Sequence, residues 1–413
     1  MRLRRGNPLL KAVLILTSII AAVVLLAPVL AVATGGRRLR FFIEPQFANT
    51  MEKMRRADAV RAFTLPKDPS ITPSQAGAAL NTLQPAGTVT SRFVRKTSSP
   101  AAASPWPYAG LAPELFPTAH SPASGGGPSS QKILALALAG LKPDELAFLE
   151  HVAHAPVWRE VEIIGRAQSI DIIGERFVLP FPDDAHLFEM PIMKFGATKD
   201  LAYAGVSRAA YYLARAQKDS AEHALRVVTS LGFALSDNGT LLIDQLIGAV
   251  IVGIGRDALL EFYALTKNPS SQVLQARLDS AAAGQTSPKV VAERRPATRT
   301  REQLIALVND PTMPRGLRFE TLSQLALLPC TNVRDLFAGP GSDVELVFAR
   351  ARKELARFPS EVAQVDLASR MLDHPLQRSS EGAGPGFALW AGSVASAIFR
   401  NPRLESCPSY VLM

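Results

Sequence analysis

The pattern of apolar and polar positions sets off the beginning of the chain from the rest. Residues 12–34 carry no charged side chain, and a bilayer core needs roughly 20 apolar residues as a helix. Residues 1–40 are therefore predicted to form a basic head and a membrane-spanning anchor. The apolar core of a cleaved signal peptide is typically about 7–15 residues, which is shorter, although Ala31-Val32-Ala33 is typical of a cleavage site.

The next two segments differ in composition. Residues 41–64 mix basic and apolar side chains at loose helical spacing, which indicates a juxtamembrane amphipathic segment. Residues 65–130 contain 11 of the 31 prolines and are rich in Ser and Ala. Such a composition buries too little apolar surface to offset the loss of chain entropy. We therefore predict a disordered linker over residues 65–130.

From residue 131 onward, apolar residues recur every three to four positions, and no convincing alternating strand pattern occurs. The sequence predicts a mainly α fold, with an α-helical domain of helical-hairpin or solenoid-like form over residues 131–413. The basic, proline-containing stretch 284–299 is a candidate boundary within that domain.

Residues 200–235 give the clearest pair of helices, because Asp219 and Glu222 have the spacing of a capping box between them. The pair looks like a tetratricopeptide-type hairpin, but it lacks that motif's usual Trp, Gly and closing Pro, and no second copy follows. Asn238-Gly239-Thr240 matches a glycosylation sequon. We interpret it as a turn followed by a helix cap.

The positive charge is concentrated near the N-terminus. Residues 1–61 contain 11 Lys and Arg against 3 Asp and Glu, whereas residues 62–413 contain 34 against 33. Basic residues beside a span usually meet anionic headgroups. The membrane is thus the expected partner of residues 1–61, and the globular part lacks the excess charge of a nucleic-acid-binding domain.

The chain has two cysteines, Cys330 and Cys407. The short basic head favours an N-terminus on the inner side, with the globular domain on the outer, translocated side. A disulfide could persist there. The alternative is two separate thiols, because sequence does not report the Cα separation.

A glycine pattern offers a candidate nucleotide site. Gly253-x-Gly255-x-x-Ala258 follows an apolar run and resembles a dinucleotide-binding fingerprint, with Asp279 at the distance of a ribose-binding acid. That motif requires a strand before it and a helix after it. The flanking pattern is equally typical of helices, so the other interpretation is a glycine-eased break between two packed helices.

A histidine pair offers a candidate metal site. Glu150-His151-x-x-His154 places two imidazoles on one helical face, and His186 or His223 could complete a site. The order is not the His-Glu-x-x-His of zinc hydrolases. We therefore expect an ordinary hydrogen-bonded helix face and no metal site.

Asp244 stands in a nearly apolar helical stretch. A buried carboxylate needs a partner, and Arg208, Arg215 and Arg256 are the candidates. We predict a structural acid that meets an arginine or a helix N-terminus or else lies at the surface, so that Asp244→Asn should lower the melting temperature. The alternative is a functional acid. A second membrane span is disfavoured because the uncharged stretch after Asp244 is short.

These features favour a non-enzymatic function, namely a single-pass, membrane-tethered helical scaffold or binding module with a protein partner. The alternative is a membrane-anchored, hydrolase-like envelope enzyme. No motif identifies catalytic residues or a cofactor. Converging acids or histidines in a deep polar pocket would favour the enzyme, and a broad concave helical surface would favour the scaffold.

Overall fold

A computed structural model of the protein describes residues 58–83, 131–183, 185, 195–283, 301–311, 313–331 and 342–373. Helices make up 77% of this part, and no strand occurs in it. The predicted mainly α fold is therefore confirmed. The predicted anchor at 12–34, the stretch 284–299, His186 and Cys407 lie outside the described residues.

In the described part, one turn of 3-10 helix at Arg61–Phe63 precedes thirteen α-helices. In chain order they are α1 (Pro73–Thr82), α2 (Gln131–Ala139), α3 (Pro143–Ala153), α4 (Val157–Arg166), α5 (Ile172–Arg176), α6 (Phe195–Ala214), α7 (Lys218–Asn238), α8 (Leu242–Leu265), α9 (Ser270–Ala283), α10 (Arg301–Asn309), α11 (Arg315–Thr331), α12 (Ser342–Glu354) and α13 (Pro359–Asp373). Among these helices, none is both long and apolar enough to cross a bilayer.

The three longest helices, α6, α7 and α8, form the centre of the fold, with α7 packed along both neighbours. The hairpin predicted over residues 200–235 is present as α6 and α7. Helix α8 continues through Gly253 and Gly255. The predicted break at these glycines is therefore wrong, because glycine is tolerated within a helix when packing favours it.

Close contact between α7 and α8 depends on glycine. A Cβ on Gly248 would lie 2.5 Å from the amide nitrogen of Ser236 and 2.6 Å from the carbonyl oxygen of Gly232. A Cβ on Gly255 would lie 2.5 Å from Oγ1 of Thr229. These distances are too short for a real side chain, so glycine at 248 and 255 sets how near the two helices lie.

The beginning of the described chain belongs to the same fold. Val60, Leu65 and Leu80 are buried in the main core, and the Leu65 N–H donates to Oγ of Ser230 over 2.7 Å. Thr72 caps α1, whose first residue is Pro73. The prediction that all of 65–130 is a disordered linker is therefore wrong for residues 65–83. The linker prediction followed from the proline-rich composition, but Pro73 occupies the first position of a helix, where proline is favourable.

Apolar side chains form two main cores. The first joins α1–α4 with α6–α8 and includes Val60, Leu80, Ile164, Leu225 and Tyr263. The second joins α10–α13 with the end of α5 and includes Phe177, Phe181, Phe319, Phe348 and Leu355. Phe177 and Phe181 precede the central helices in the chain, so the division between the cores does not follow chain order.

Candidate functional site

A group of polar residues lies where the ends of α7, α8, α11 and α13 come together between the two cores. We call this group the seam: Asp237, Asn238, Asp244, Gln245, Arg315, Glu320, Arg357 and Glu361. Arg315 links its parts, because one guanidinium nitrogen donates to Oε2 of Glu361 over 2.6 Å and another to the carbonyl oxygen of Asn238 over 3.0 Å. Through Arg315, α11 and α13 of the second core are joined to α7 of the first core.

Two arginines bind the C-terminal end of α7. Arg357 donates to Oδ1 of Asn238 over 3.1 Å and to the carbonyl oxygen of Asp237 over 3.3 Å. Arg61 donates to both carboxylate oxygens of Asp237, over 2.6 and 2.9 Å. Guanidinium groups are favourable here because the last carbonyls of a helix carry partial negative charge.

Asn238 is a structural residue. Its side-chain nitrogen donates to the carbonyl oxygen of Ala234 over 2.8 Å, and its side-chain oxygen accepts the N–H of Ile170 over 3.0 Å. Gly239 follows directly and ends α7. The turn predicted at Asn238-Gly239 is thus present, and the buried amide of Asn238 is engaged within the fold.

Glu361 is enclosed, and its Oε2 also accepts the N–H of Arg357 over 2.6 Å. Its second oxygen, the Nε of Arg315 and the Oε1 of Gln245 are buried without a hydrogen-bond partner. A buried ion pair compensates only part of the free energy needed to remove two charges from water. Removing the charged groups of the seam from water therefore costs free energy, and the hydrogen bonds that offset this cost depend on the geometry of the seam.

Asp244 lies in the first turn of α8, with 3% of its surface exposed. Its carboxylate accepts the N–H of Leu241 over 3.2 Å. The prediction of a helix N-terminus as its partner is confirmed. The arginines named from sequence lie elsewhere: Arg208 binds Glu162, Arg215 lies over the Tyr211 ring and Arg256 binds Asp257.

Burial raises the pKa of Asp244 to about 6. The N–H of Leu241 and the charge of Arg176 lower that pKa in part, while the carboxyl of Glu320 raises it. Burial also raises the pKa of Glu320 and lowers the pKa of Arg176. Two acids with raised pKa values and one arginine are thus held near the start of α8 and α11.

A second group of charged and aromatic side chains lies on α3, α4, α6 and α7. We call it the aromatic–arginine face: Glu150, His154, Trp158, Glu162, Arg208, Tyr211, Tyr212, Arg215 and His223. Arg208 lies over the rings of Trp158 and Tyr212, 5.1 and 5.8 Å from their centroids, and donates to Oε1 of Glu162 over 3.2 Å. Tyr212 is half-buried, and Arg215 is exposed.

Glu162 holds the charged end of this face in place. Its Oε1 lies 3.4 Å from Nε2 of His223 and 3.2 Å from a guanidinium nitrogen of Arg208. Hydrogen bonds first from His223 and then from Arg208 lower the pKa of Glu162 to about 2. The carboxylate is therefore charged at neutral pH.

The histidine pair named from sequence lies at the edge of the same face. His154 contacts the carbonyl oxygen of Glu150 over 2.9 Å through Nδ1, and its ring packs edge-on against Tyr211 at 5.4 Å. The Tyr211 hydroxyl donates to Oε1 of Glu150 over 3.1 Å. The described residues contain no group of three or more His, Cys, Asp or Glu side chains that could hold a metal ion.

The glycine pattern does not form a nucleotide site. Gly253, Gly255 and Ala258 all lie inside α8, so the described chain has no strand before them. Asp279 is on exposed α9, where its carboxylate accepts from Gln275 over 2.9 Å. The fingerprint requires a helix N-terminus facing a phosphate, and this position is mid-helix.

Several important side chains carry no sequence signal. Arg315, Glu361 and Glu320 were not singled out, because ordinary charged positions on helices look alike before packing is known. Glu261 is a further case: both carboxyl oxygens are enclosed, and burial raises its pKa to about 7, although the backbone N–H of Ala135 lowers that pKa in part. In the sequence, only the position of Glu261 among the apolar residues of α8 indicated that this side chain is unusual.

No family model, curated protein or solved structure matches this chain.

Proposed function

We propose that this protein is a membrane-tethered helical scaffold or binding module. In this proposal residues 12–34 hold the chain in the bilayer, with the helical domain on the translocated side. The basic residues among 1–61 contact anionic headgroups, each contributing about 1 kcal/mol near the surface.

One observation carries the proposal: several acids that could have served catalysis cap a helix or bind a side chain of a neighbouring helix. Asp244 caps α8, and Glu361 binds Arg315 beside the start of α13. Glu150 binds Tyr211, and Glu162 binds Arg208. Such use of polar groups supports a rigid frame that presents a surface.

The aromatic–arginine face is the surface that we assign to a protein partner. Trp, Tyr and Arg dominate the binding energy of protein interfaces because they combine large contact area with hydrogen bonding. Trp158 and Tyr211 belong to the buried core and form the base of this face. Arg208 and Tyr211 are held by Glu162 and Glu150, so the base is rigid and little side-chain entropy remains to be lost on binding. Half-buried Tyr212 and exposed Arg215 supply the accessible part.

The tether is tested on the full chain in its native membrane. The protein should resist extraction by alkaline carbonate and retain its first residues. A mature N-terminus at Thr34 would contradict an uncleaved anchor.

The binding face is tested with a photo-crosslinking amino acid at Tyr212 and, as a control, at Leu346, which is 64% exposed on α12. A discrete protein adduct should form from position 212, weaken with Arg215→Ala and be absent from position 346. Equal adduct patterns at both positions would contradict the assignment.

The alternative, an envelope enzyme of hydrolase type, is favoured by one observation. Burial raises the pKa values of the carboxyls of Asp244 and Glu320, and acids with raised pKa values cluster at catalytic sites. The discriminating test is Asp244→Asn. A variant that keeps its stability but loses a measured hydrolytic activity would replace the scaffold with the enzyme.

A further inference from the structure

The beginning of the described chain is bound along its length by helices that follow it in sequence. We call residues 58–77 the clasp. The Leu65 N–H donates to Oγ of Ser230 on α7 over 2.7 Å. The side-chain nitrogen of Lys67 donates to the carbonyl oxygen of Ala167, directly after α4, over 2.9 Å. The clasp is therefore held by directed hydrogen bonds as well as by its buried apolar side chains.

One route leads from the clasp to the start of α13 through Asp237. The guanidinium of Arg61 donates to both carboxylate oxygens of Asp237 and lies 4.2 Å from the ring centroid of Phe233. Arg357, which shortly precedes α13, donates to the carbonyl oxygen of the same Asp237 over 3.3 Å. One residue at the end of α7 thus binds an arginine of the clasp and the arginine that leads into α13.

A second route runs through Asp171, which directly precedes α5. Its N–H donates to the carbonyl oxygen of Pro73, at the start of α1, over 3.0 Å. Its carboxylate accepts the hydroxyl of Ser360, in the first turn of α13, over 2.6 Å. A Cβ on Gly77 would clash with the carbonyl oxygen of Asp171, so α1 lies directly against this residue. The clasp and α13 therefore meet at Asp171 as well.

Both routes end on residues 357–360, and each passes through a single intermediate residue. A displacement of the clasp removes partners that hold Asp237 and Asp171 in position for α13. The outer contact can open readily, because Arg61 and Asp237 are 47% and 37% exposed and an exposed ion pair contributes little to stability.

We propose that the clasp is a conformational link between the N-terminal end of the fold and the second core. When Arg61 releases Asp237, the start of α13 loosens, and when α13 is displaced, the clasp loosens in turn, because coupling between two sites is reciprocal. A force or a ligand that acts on the chain before residue 58 is thereby transmitted to α13. The inference does not depend on the membrane tether or on the partner-binding face.

The test is hydrogen exchange of the purified full-length protein. Arg61→Ala should raise the opening of the clasp and of the first turn of α13 by up to about 5-fold. In that turn the N–H groups of Glu361 and Val362 donate to the carbonyl oxygen of Phe358. Ser70→Ala alters an exposed turn within the clasp but keeps both routes, so it should leave α13 unchanged. Amides of α3 should not change in either variant.

The reciprocal variant is Ser360→Ala, which removes the hydroxyl bound to Asp171 and leaves that carboxylate as the cap of α5. It should raise the opening of the clasp about 2- to 10-fold, read from peptides that contain the N–H groups of Leu65 and Asp68. Arg352→Ala, which breaks an exposed ion pair between α12 and α13, is the matched control and should leave these amides unchanged.

Three results would overturn the inference. The first is a clasp that opens more often in Arg61→Ala while α13 keeps the exchange of the wild type. The second is unchanged exchange in both Arg61→Ala and Ser360→Ala. The third is an equal change in α3, which would show a global loss of stability and no local link. Because Ser360→Ala acts from the opposite end, it provides the decision if Arg61→Ala does not fold.

Discussion

The guanidinium of Arg315 donates to the carboxylate of Glu361 over 2.6 Å, with 11% and 1% of the two side chains exposed. The pair links the start of α11 to the first turn of α13 and, through Asn238, to the end of α7. One enclosed ion pair therefore ties three helices together across the seam.

Removing one member of this pair should be strongly destabilising. Arg315→Ala leaves the carboxylate of Glu361 enclosed without its main partner, and such a loss costs about 3–5 kcal/mol. Chemical denaturation measures the difference. Arg352→Ala breaks the exposed pair with Asp366 and is the matched control, with an expected loss of about 0–1 kcal/mol. Equal losses in the two variants would contradict a special role for the seam.

Stability should depend on pH through Asp244. Its pKa is raised to about 6, so the folded state binds a proton that the unfolded state releases. The free energy of unfolding should therefore rise as pH falls from 7.5 to 5, by roughly 1–2 kcal/mol from this group. Denaturation of wild type and Asp244→Asn across this range measures the difference.

The structure changes one expectation drawn from sequence, that Asp244→Asn lowers the melting temperature. An amide mimics the protonated acid and can still accept the Leu241 N–H, so at pH 7.5 we expect little loss or a gain. A loss of several kcal/mol at pH 7.5 would show that the charged form of Asp244 is the stabilising one.

Replacing either of two glycines in α8 by alanine should have opposite effects on stability. Gly248→Ala places a methyl group against Ser236 and Gly232, and overpacking typically costs about 1–3 kcal/mol. Gly253→Ala meets nothing within 4 Å, so higher helix propensity should stabilise the fold by up to about 1 kcal/mol. Thermal melts of the two variants give the comparison. A destabilised Gly253→Ala would contradict the assignment of this residue to an ordinary helix interior.

A truncated chain that starts at residue 131 should be much less stable than one that starts at residue 51. The shorter chain loses Val60, Leu65 and Leu80 from the main core, and each large apolar side chain contributes about 1.5–3 kcal/mol when fully buried. Circular dichroism during thermal unfolding should show a lower or less cooperative transition. Equal transitions would mean that residues 58–83 contribute nothing to the core.

Local patterns in the sequence predicted the helices well. The first turn of α3 contains Pro143 followed by acids, a typical helix start, and the Lys142 N–H donates to Oε2 of Glu145 over 2.9 Å. Helices α6 and α7 follow from apolar spacing. These features were readable because their causes lie within a few residues of one another.

The failures have a common physical origin. Residues 65–83 were assigned to a linker from their composition. Composition does not show that Leu65 and Leu80 are buried in a core formed with residues far away in the chain. The break at Gly253 was predicted because glycine is read locally as a helix breaker. In both cases tertiary packing outweighed a local preference.

By itself, the sequence determined the helical class and the α6–α7 hairpin, since spacing, caps and polarity act over one or two turns. Only the tertiary structure decided the seam. Arg315 and Glu361 are 46 positions apart, and Arg357 and Asn238 are 119 apart. Which charges meet depends on how the helices pack, because a guanidinium on a helix surface has many carboxylates within reach until packing selects one.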